Sequence, residues 1–458
     1  LTFDCAEAYL DSRSSILHWL TSLRTALRSL LPDAYASLSA DRFQACGSSG
    51  SNVVWFFDDV YVVKFYCPLA GGMKAFRREL RFFQVYSHLP FIPSLHAQGV
   101  LFPERENWRW PYLVIDRLRG RDLSRVRLPS AVRHSSALRK RLFSPLAHQL
   151  AAALASLHLY TRFTPPCCRH YWSRARAAGL SGVASSTSVS ASVSVSVSAS
   201  ASSYPSAAFA TLLSTPLDRR RFTERLWRRY QSCERRHQRW QTSPTLRAQL
   251  STVVNASFVV RLTDATANTP FSLLHGDVKR HNLLVEYVSL SSSSSNSPSG
   301  NSTSTTSTSA NSASTNSTST NLTSSTNSVS VVEAPVTGVQ PPPRLLALID
   351  FGDSCLGPAW FDLLDVFASV LRCDADLFRL FLRSYFALTS IGLPCVCNPY
   401  AHHSPRPYCE RCAPVLLLGM LLLHPHNAMD RAVYHYRPKL REYEYSVDVL
   451  AHHLWAGL

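Results

Sequence analysis

At 458 residues, with 46% apolar and 17% charged side chains, the chain describes a globular protein long enough for two or more core-bearing units. A net charge of +17, most of it from Arg, points to an acidic ligand or partner: a phosphorylated small molecule, nucleic acid or an anionic surface. Twelve Cys in this length do not form a dense disulfide framework, which implies a reducing, intracellular and cytoplasmic setting, and the longest apolar run, Ala413 to Leu423, is too short for a bilayer that needs ~20 residues.

The sequence opens on Leu1 rather than Met, as a fragment would, with no signal pattern at its start. Residues 1–40 are read as an N-terminal helical segment. From Phe43 to Tyr66, two apolar strands flank Asp58 and Asp59 as a hairpin, with a Gly/Ser turn (Cys46 to Val54) before them. After Gly71 and Gly72, Phe76, Leu80 and Phe83 fall on one helical face, and Trp110 to Asp116 reads as a further strand. Beyond Ala131 helical patterns dominate, at Leu146 to Tyr160, Asp362 to Leu380 and Val415 to Leu423.

Two tracts belong to no packed core. Residues 181–210 are almost wholly Ser, Val and Ala, and residues 289–332 are Ser, Thr and Asn without a charge, so both are read as disordered insertions. The second separates "SLLHGD" and "LLVEYV" from "LLALID", three strand patterns. Loop closure costs little more for a long loop, so a hairpin tip tolerates such an insertion.

Those strands carry Asp277, Asn282 and Asp350. If they pair, three oxygen-bearing side chains meet in one place, a donor set that suits magnesium, with an Asp left to accept a proton. Each residue alone reads better as a turn former, and only the combined pattern favours the site.

His275, Gly276, Asp277 and Asn282, with Asp350, Phe351 and Gly352 following, resemble the catalytic core of the aminoglycoside phosphotransferase and choline kinase-like families. The resemblance implies an α+β, two-lobed protein kinase-like fold, with a small mixed β-sheet lobe at 41–120 and a larger, mainly helical catalytic lobe at 121–458. It implies ATP and magnesium as cofactors and transfer of a phosphoryl group to a hydroxyl of a small molecule. Asp277 then orients or deprotonates the hydroxyl, Asn282 and Asp350 hold metal, and Lys279 stabilises the transferred group. Lys64 with Glu79, on the helix fifteen residues later, matches the pair that positions the phosphates. Gly47, Gly50 and Ser51 take the place of a phosphate-covering turn, Asp116 ends the strand that leads into the interlobe linker, and Asp362 takes a structural role.

Gly276 stands where most protein kinases carry Arg, and no Ala-Pro-Glu segment follows Asp350, which favours a small-molecule acceptor. Lys279, two residues after Asp277, is the protein-kinase feature. A protein kinase and a catalytically silent nucleotide-binding module remain the alternatives. Residues 219–240 carry nine Arg against two Glu, interleaved with aromatics. Phe222, Leu226, Tyr230 and Cys233 make one apolar face of an amphipathic helix there. Its other face is a basic solvent side, a surface for nucleic acid, or a hold on an acidic acceptor. Cys395, Cys397, Cys409 and Cys412, with His402 and His403, supply soft ligands for zinc, or are reduced thiols in a Pro-rich loop.

Overall fold

Alternation of large apolar side chains builds the first layer. In the computed structural model, Val53, Trp55 and Phe57 of strand β2 (Val53–Phe57) all turn inward. Asp58, in the left-handed region at φ 50°, turns the chain into β3 (Tyr61–Phe65). With β1 (Phe43–Ala45), β4 (Leu95–Leu101) and β5 (Trp110–Asp116) these make a five-stranded antiparallel sheet in the order β1-β2-β3-β5-β4. Phe43, Trp55, Phe65, Trp110 and Tyr112 form its apolar cluster, which Leu20 and Leu23 of the N-terminal segment join.

The structure describes residues 20, 23–24, 42–46, 52–68, 71–101, 109–126, 135–160, 216–239, 242–267, 269, 271–287, 342–396, 407–424, 428–436 and 438–456. Contacts divide the chain into a unit of residues 1–286 and 342–458 and a second of 287–341, nearly all of which lies outside those residues. The two tracts expected to be disordered, 181–210 and 289–332, also lie outside them.

Helix α1 (Gly72–Tyr86) buries Phe76, Glu79, Phe82, Phe83 and Tyr86. Leu80, expected on the buried face, is only half-buried, because the inward stripe follows i, i+3 and i+7 from Phe76. Phe82 stacks on Phe351 with ring centroids 3.6 Å apart, so the helix is seated against the segment that carries Asp350.

The helical part includes α2 (Ser136–Tyr160), α3 (Pro216–Gln231), α4 (Cys233–Arg239) and α5 (Ala256–Ala267). It continues with α6 (Trp360–Asp365), α7 (Ala375–Thr389), α8 (Ala413–Leu423) and α9 (Val447–Ala456). Helix α8 is apolar all round because it is buried all round, and Gly419 lets it approach Phe258, whose ring atom would lie 2.5 Å from a Cβ there. No helix among the described residues is long and apolar enough to cross a membrane.

Two helical expectations need correction. Asp362 to Leu380 is not one run: after α6 a π-helical turn (Val366–Val370) leads to Arg372 and Cys373 at positive φ, and Asp374 recaps α7 through its side chain. The Arg-rich segment breaks between α3 and α4 at Ser232, whose hydroxyl bonds back to the Arg228 carbonyl at 2.8 Å.

Two small sheets interrupt the helices. Strand β6 (Arg121–Asp122) pairs with β8 (Leu283–Tyr287), which lies beside β9 (Pro343–Leu348). Strand β7 (Phe271–Leu274) pairs antiparallel with β10 (Cys355–Pro358). The 289–332 tract therefore joins neighbouring strands, as its position between strand patterns predicts.

Candidate active site

Strand β7 delivers His275, Gly276 and Asp277 to the cleft. Gly276 sits at φ 80°, and a Cβ there would lie 2.4 Å from the Asp353 carbonyl oxygen. No side chain fits, which is the physical reason for Gly where protein kinases carry Arg.

The turn is held from behind by a buried carboxylate. Asp362 accepts from the backbone N–H of His275 (2.7 Å) and of Gly276 (3.0 Å), and from His158 Nε2 (3.1 Å). Tyr385 in turn meets His158 Nδ1 at 2.7 Å. The His275 ring accepts from Asp277 N–H at Nδ1 and faces the Ile349 carbonyl with Nε2 at 3.0 Å, so the proton sits on Nε2.

Asp277 and Asn282 close one loop. Asn282 Nδ2 donates to the Asp277 carbonyl (2.9 Å) and to Asp277 Oδ2 (3.2 Å), while Lys279 pairs with Asp277 Oδ1. The Ile349 N–H donates to the Asn282 carbonyl at 3.0 Å, which brings Asp350 beside the loop. Asp350 takes φ 64°, an uncommon conformation for a residue with a Cβ, and its side chain remains about half exposed to the cleft.

On the sheet side, Lys64 of β3 donates to Glu79 Oε2 at 2.7 Å and to Asp350 Oδ1 at 2.6 Å. Tyr66 donates to the same Glu79 oxygen at 2.6 Å. Burial, which pulls the Lys64 ammonium down, is outweighed by the Asp350 and Glu79 carboxylates, so its pKa is raised. Lys64 holds the Asp350 carboxyl below its ordinary range against the opposing effect of burial. Burial pushes Glu79 up despite Lys64.

That balance gives a testable sign. In Lys64→Met, Glu79 loses its main counter-charge, so its folded-state pKa rises further above the unfolded value of about 4.3. A group raised on folding contributes stability that is present at low pH and lost as pH rises through its folded value. The variant is expected to lose stability relative to the parent as pH rises above the unfolded value, read as a widening gap in thermal midpoint. A constant gap would remove Glu79 as the cause.

The structure brings Lys64, Glu79, Asp277, Lys279, Asn282 and Asp350 together. Gly47, Gly50 and Ser51 lie outside the described residues. The Asp116 carboxylate accepts from Ser94 N–H (2.9 Å) and meets His96 Nε2 (2.5 Å), and its N–H donates to Ser94 O (3.1 Å), so this residue fastens the β4–β5 corner. Sequence reasoning missed His158, which no local pattern marks, and Asp353, whose place beside Asp350 is a usable signal. Burial, then the Asp277 and Asp350 carboxylates, raises Asp353.

The sequence matches the phosphotransferase enzyme family over residues 42–291, more than half of the chain. The chain belongs to this family. As a family member it is a phosphotransferase with an alcohol group as acceptor, and its α+β architecture is the two-lobed kinase-like one. No curated protein matches it. Among solved structures, an APH(2")-IIia complex with GDP and kanamycin is 12% identical over 96% of this chain and 99% of that one, with a TM-score of 0.44. A choline/ethanolamine kinase family protein from Mesorhizobium loti is 11% identical over 95% of this chain and 92% of that one, with a TM-score of 0.38. At these scores the likenesses add nothing to the family match.

The oxygen donors of this phosphotransferase suit a hard cation. Asn282 spends its Nδ2 on Asp277, which leaves Oδ1 as its acceptor, and Asp350 spends Oδ1 on Lys64, which leaves Oδ2. Two oxygen ligands from protein and the rest from water and phosphate is the coordination magnesium favours.

Proposed function

We propose that the protein transfers the terminal phosphoryl group of ATP, with magnesium, to a hydroxyl of a small molecule, and that residues 41–120 and 121–458 act as nucleotide-binding and catalytic lobes. The observation that supports this reading is the pair of hydrogen bonds from Lys64 to Glu79 and to Asp350, an arrangement in which Lys64 would meet the phosphates beside a carboxylate with a spare oxygen. Magnesium, held by Asn282 and Asp350, would neutralise charge on the phosphates.

Asp277 accepts the acceptor's hydroxyl proton as the oxygen–phosphorus bond forms and the bond from that phosphorus to the bridging oxygen breaks. Asn282 fixes the Asp277 carboxylate, and Lys279 offsets charge on the transferred group. The test is nucleotide binding and turnover by the full chain with ATP or GTP, with magnesium or EDTA, in the parent and in Asp350→Ala. Magnesium-dependent binding lost in the variant supports the reading. Equal binding with and without metal overturns it.

A further inference from the structure

Beside Asp277 lies a cavity of about 460 Å³, a volume suited to a small molecule. Five basic side chains line it: Lys74 and Arg78 from α1 and Arg225, Arg228 and Arg229 from α3. The three Arg are neighbours at i, i+3 and i+4; Arg225 and Arg229 adjoin the buried stripe of Phe222 and Leu226, Phe222 edge-on to Trp360, and Arg228 lies further round on the exposed side. Asp277, Asp353 and Asp365 are the carboxylates in the lining, and each already has a partner. Lys279 pairs with Asp277, His424 meets Asp365 at 2.9 Å, and Arg78 stands 3.9 Å from Asp353.

Arg225 and Arg229 are half-buried and crowded, while Arg228 is exposed. Arg229 lies over the Phe361 ring at 4.8 Å and Arg225 Nη1 reaches Cys355 Sγ at 3.0 Å. Burial, with neighbouring Arg225 and Arg236 and against Asp365, pulls the Arg229 guanidinium down to about 10. Like charges held this close are relieved by an anion.

Resting on the phosphotransferase reading, we infer that the acceptor is an anionic hydroxyl compound, a phosphate monoester or carboxylate whose charge docks on Arg225, Arg228 and Arg229 while its hydroxyl faces Asp277. Such a wall repels a polycationic acceptor such as an aminoglycoside. The apolar face of α3 packs into the core, and its basic face lines this cavity.

The test uses the full chain with magnesium and ATP and three sets of acceptors. These are glycerol 3-phosphate, ribose 5-phosphate and gluconate; their neutral parents glycerol and ribose; and kanamycin and choline. Transfer to the anionic set alone is expected, with a KM that climbs with ionic strength. In Arg225→Ala/Arg228→Ala that KM should rise about tenfold or more, with the KM for ATP within about twofold. Transfer to neutral or cationic acceptors at equal efficiency, or a salt-independent KM, overturns the inference. Magnesium-dependent ATP binding, measured without acceptor, reports separately on the phosphotransferase reading.

A second cluster lies outside this cavity. The Cys395, Cys409 and Cys412 sulfurs all lie within 4.8 Å of one another, with Cys412 Sγ 3.8 Å from Cys395 Sγ. Tetrahedral zinc with ~2.3 Å bonds sets sulfurs about 3.8 Å apart. Backbone contacts fix the approach: Leu393 N–H donates to the Pro407 carbonyl at 2.8 Å, and the Cys412 and Ala413 N–H groups both donate to the Cys409 carbonyl. We infer a zinc site with these three thiolates as ligands, stapling the chain after α7 to the start of α8; Cys397, His402 and His403 of the expected set lie outside the described residues.

Elemental analysis of the purified chain after dialysis should give one zinc per chain, lost in Cys409→Ser/Cys412→Ser. Cobalt exchanged into the parent protein should give thiolate-to-metal charge-transfer absorption, a readout that needs no variant. Metal-free protein without that absorption, or a disulfide between Cys395 and Cys412 in freshly purified chain, overturns the site.

Discussion

Asp277→Asn is expected to lower kcat for phosphoryl transfer by roughly 10²–10⁴, the usual contribution of a positioned base. The substitution is nearly isosteric, and the Asn282 bond to the Asp277 carbonyl does not depend on the side chain. The loop geometry is therefore retained while the proton acceptor is removed. The Lys279 pair is lost with it, so Lys279 becomes available to an anion in the cleft. KM for ATP should fall or stay level as kcat drops, and steady-state kinetics with both substrates varied separate the two. A loss below about tenfold would mean that positioning and charge carry the reaction and that the proton leaves by another route, which a loose transition state permits.

Much of this centre was legible in the sequence because its residues sit in short, punctuated motifs. Asp277 and Asn282 lie in one loop between apolar strands, and Lys64 and Glu79 are linked by one strand and one helix, so local pattern sufficed. The edge strand β4 was not legible: "LHAQGVL" alternates small Ala97 and Gly99 with polar residues, and its pairing with β5 shifts register between Leu95 and Ala97. Gly99 is needed because Tyr112 lies across it, with the hydroxyl oxygen 2.6 Å from where a Cβ would be. Such a contact is set by the partner strand and leaves no trace in a period-two count. The Arg of α3 were visible as a charge run, yet their place beside Asp277 depends on how α3 docks on Phe271 and Trp360. His158 was the least visible of all, because its partner Asp362 lies 204 residues away.

That remote contact carries the second large effect. Asp362 does not reach the acceptor, yet its two oxygens receive three donors: the His275 and Gly276 amides and His158 Nε2. It is fully buried, so in Asp362→Ala all three donors lose their acceptor without water to replace it. Breaking a buried pair of this kind costs about 3–5 kcal/mol, a large part of a typical folding free energy of about 5–15 kcal/mol. Denaturant or thermal unfolding should show the loss directly.

Asp362→Asn separates stability from positioning. An amide offers one acceptor oxygen and one donor nitrogen, so at least one of the two N–H groups must face another donor. The Gly276 turn would then shift Asp277 while Lys64, Glu79 and Asp350 stay in place. The folded fraction should bind ATP normally, with kcat reduced at least about tenfold and KM for ATP unchanged. Equal stability and equal kcat in Asp362→Asn would show that the His275–Gly276 turn holds Asp277 without this carboxylate.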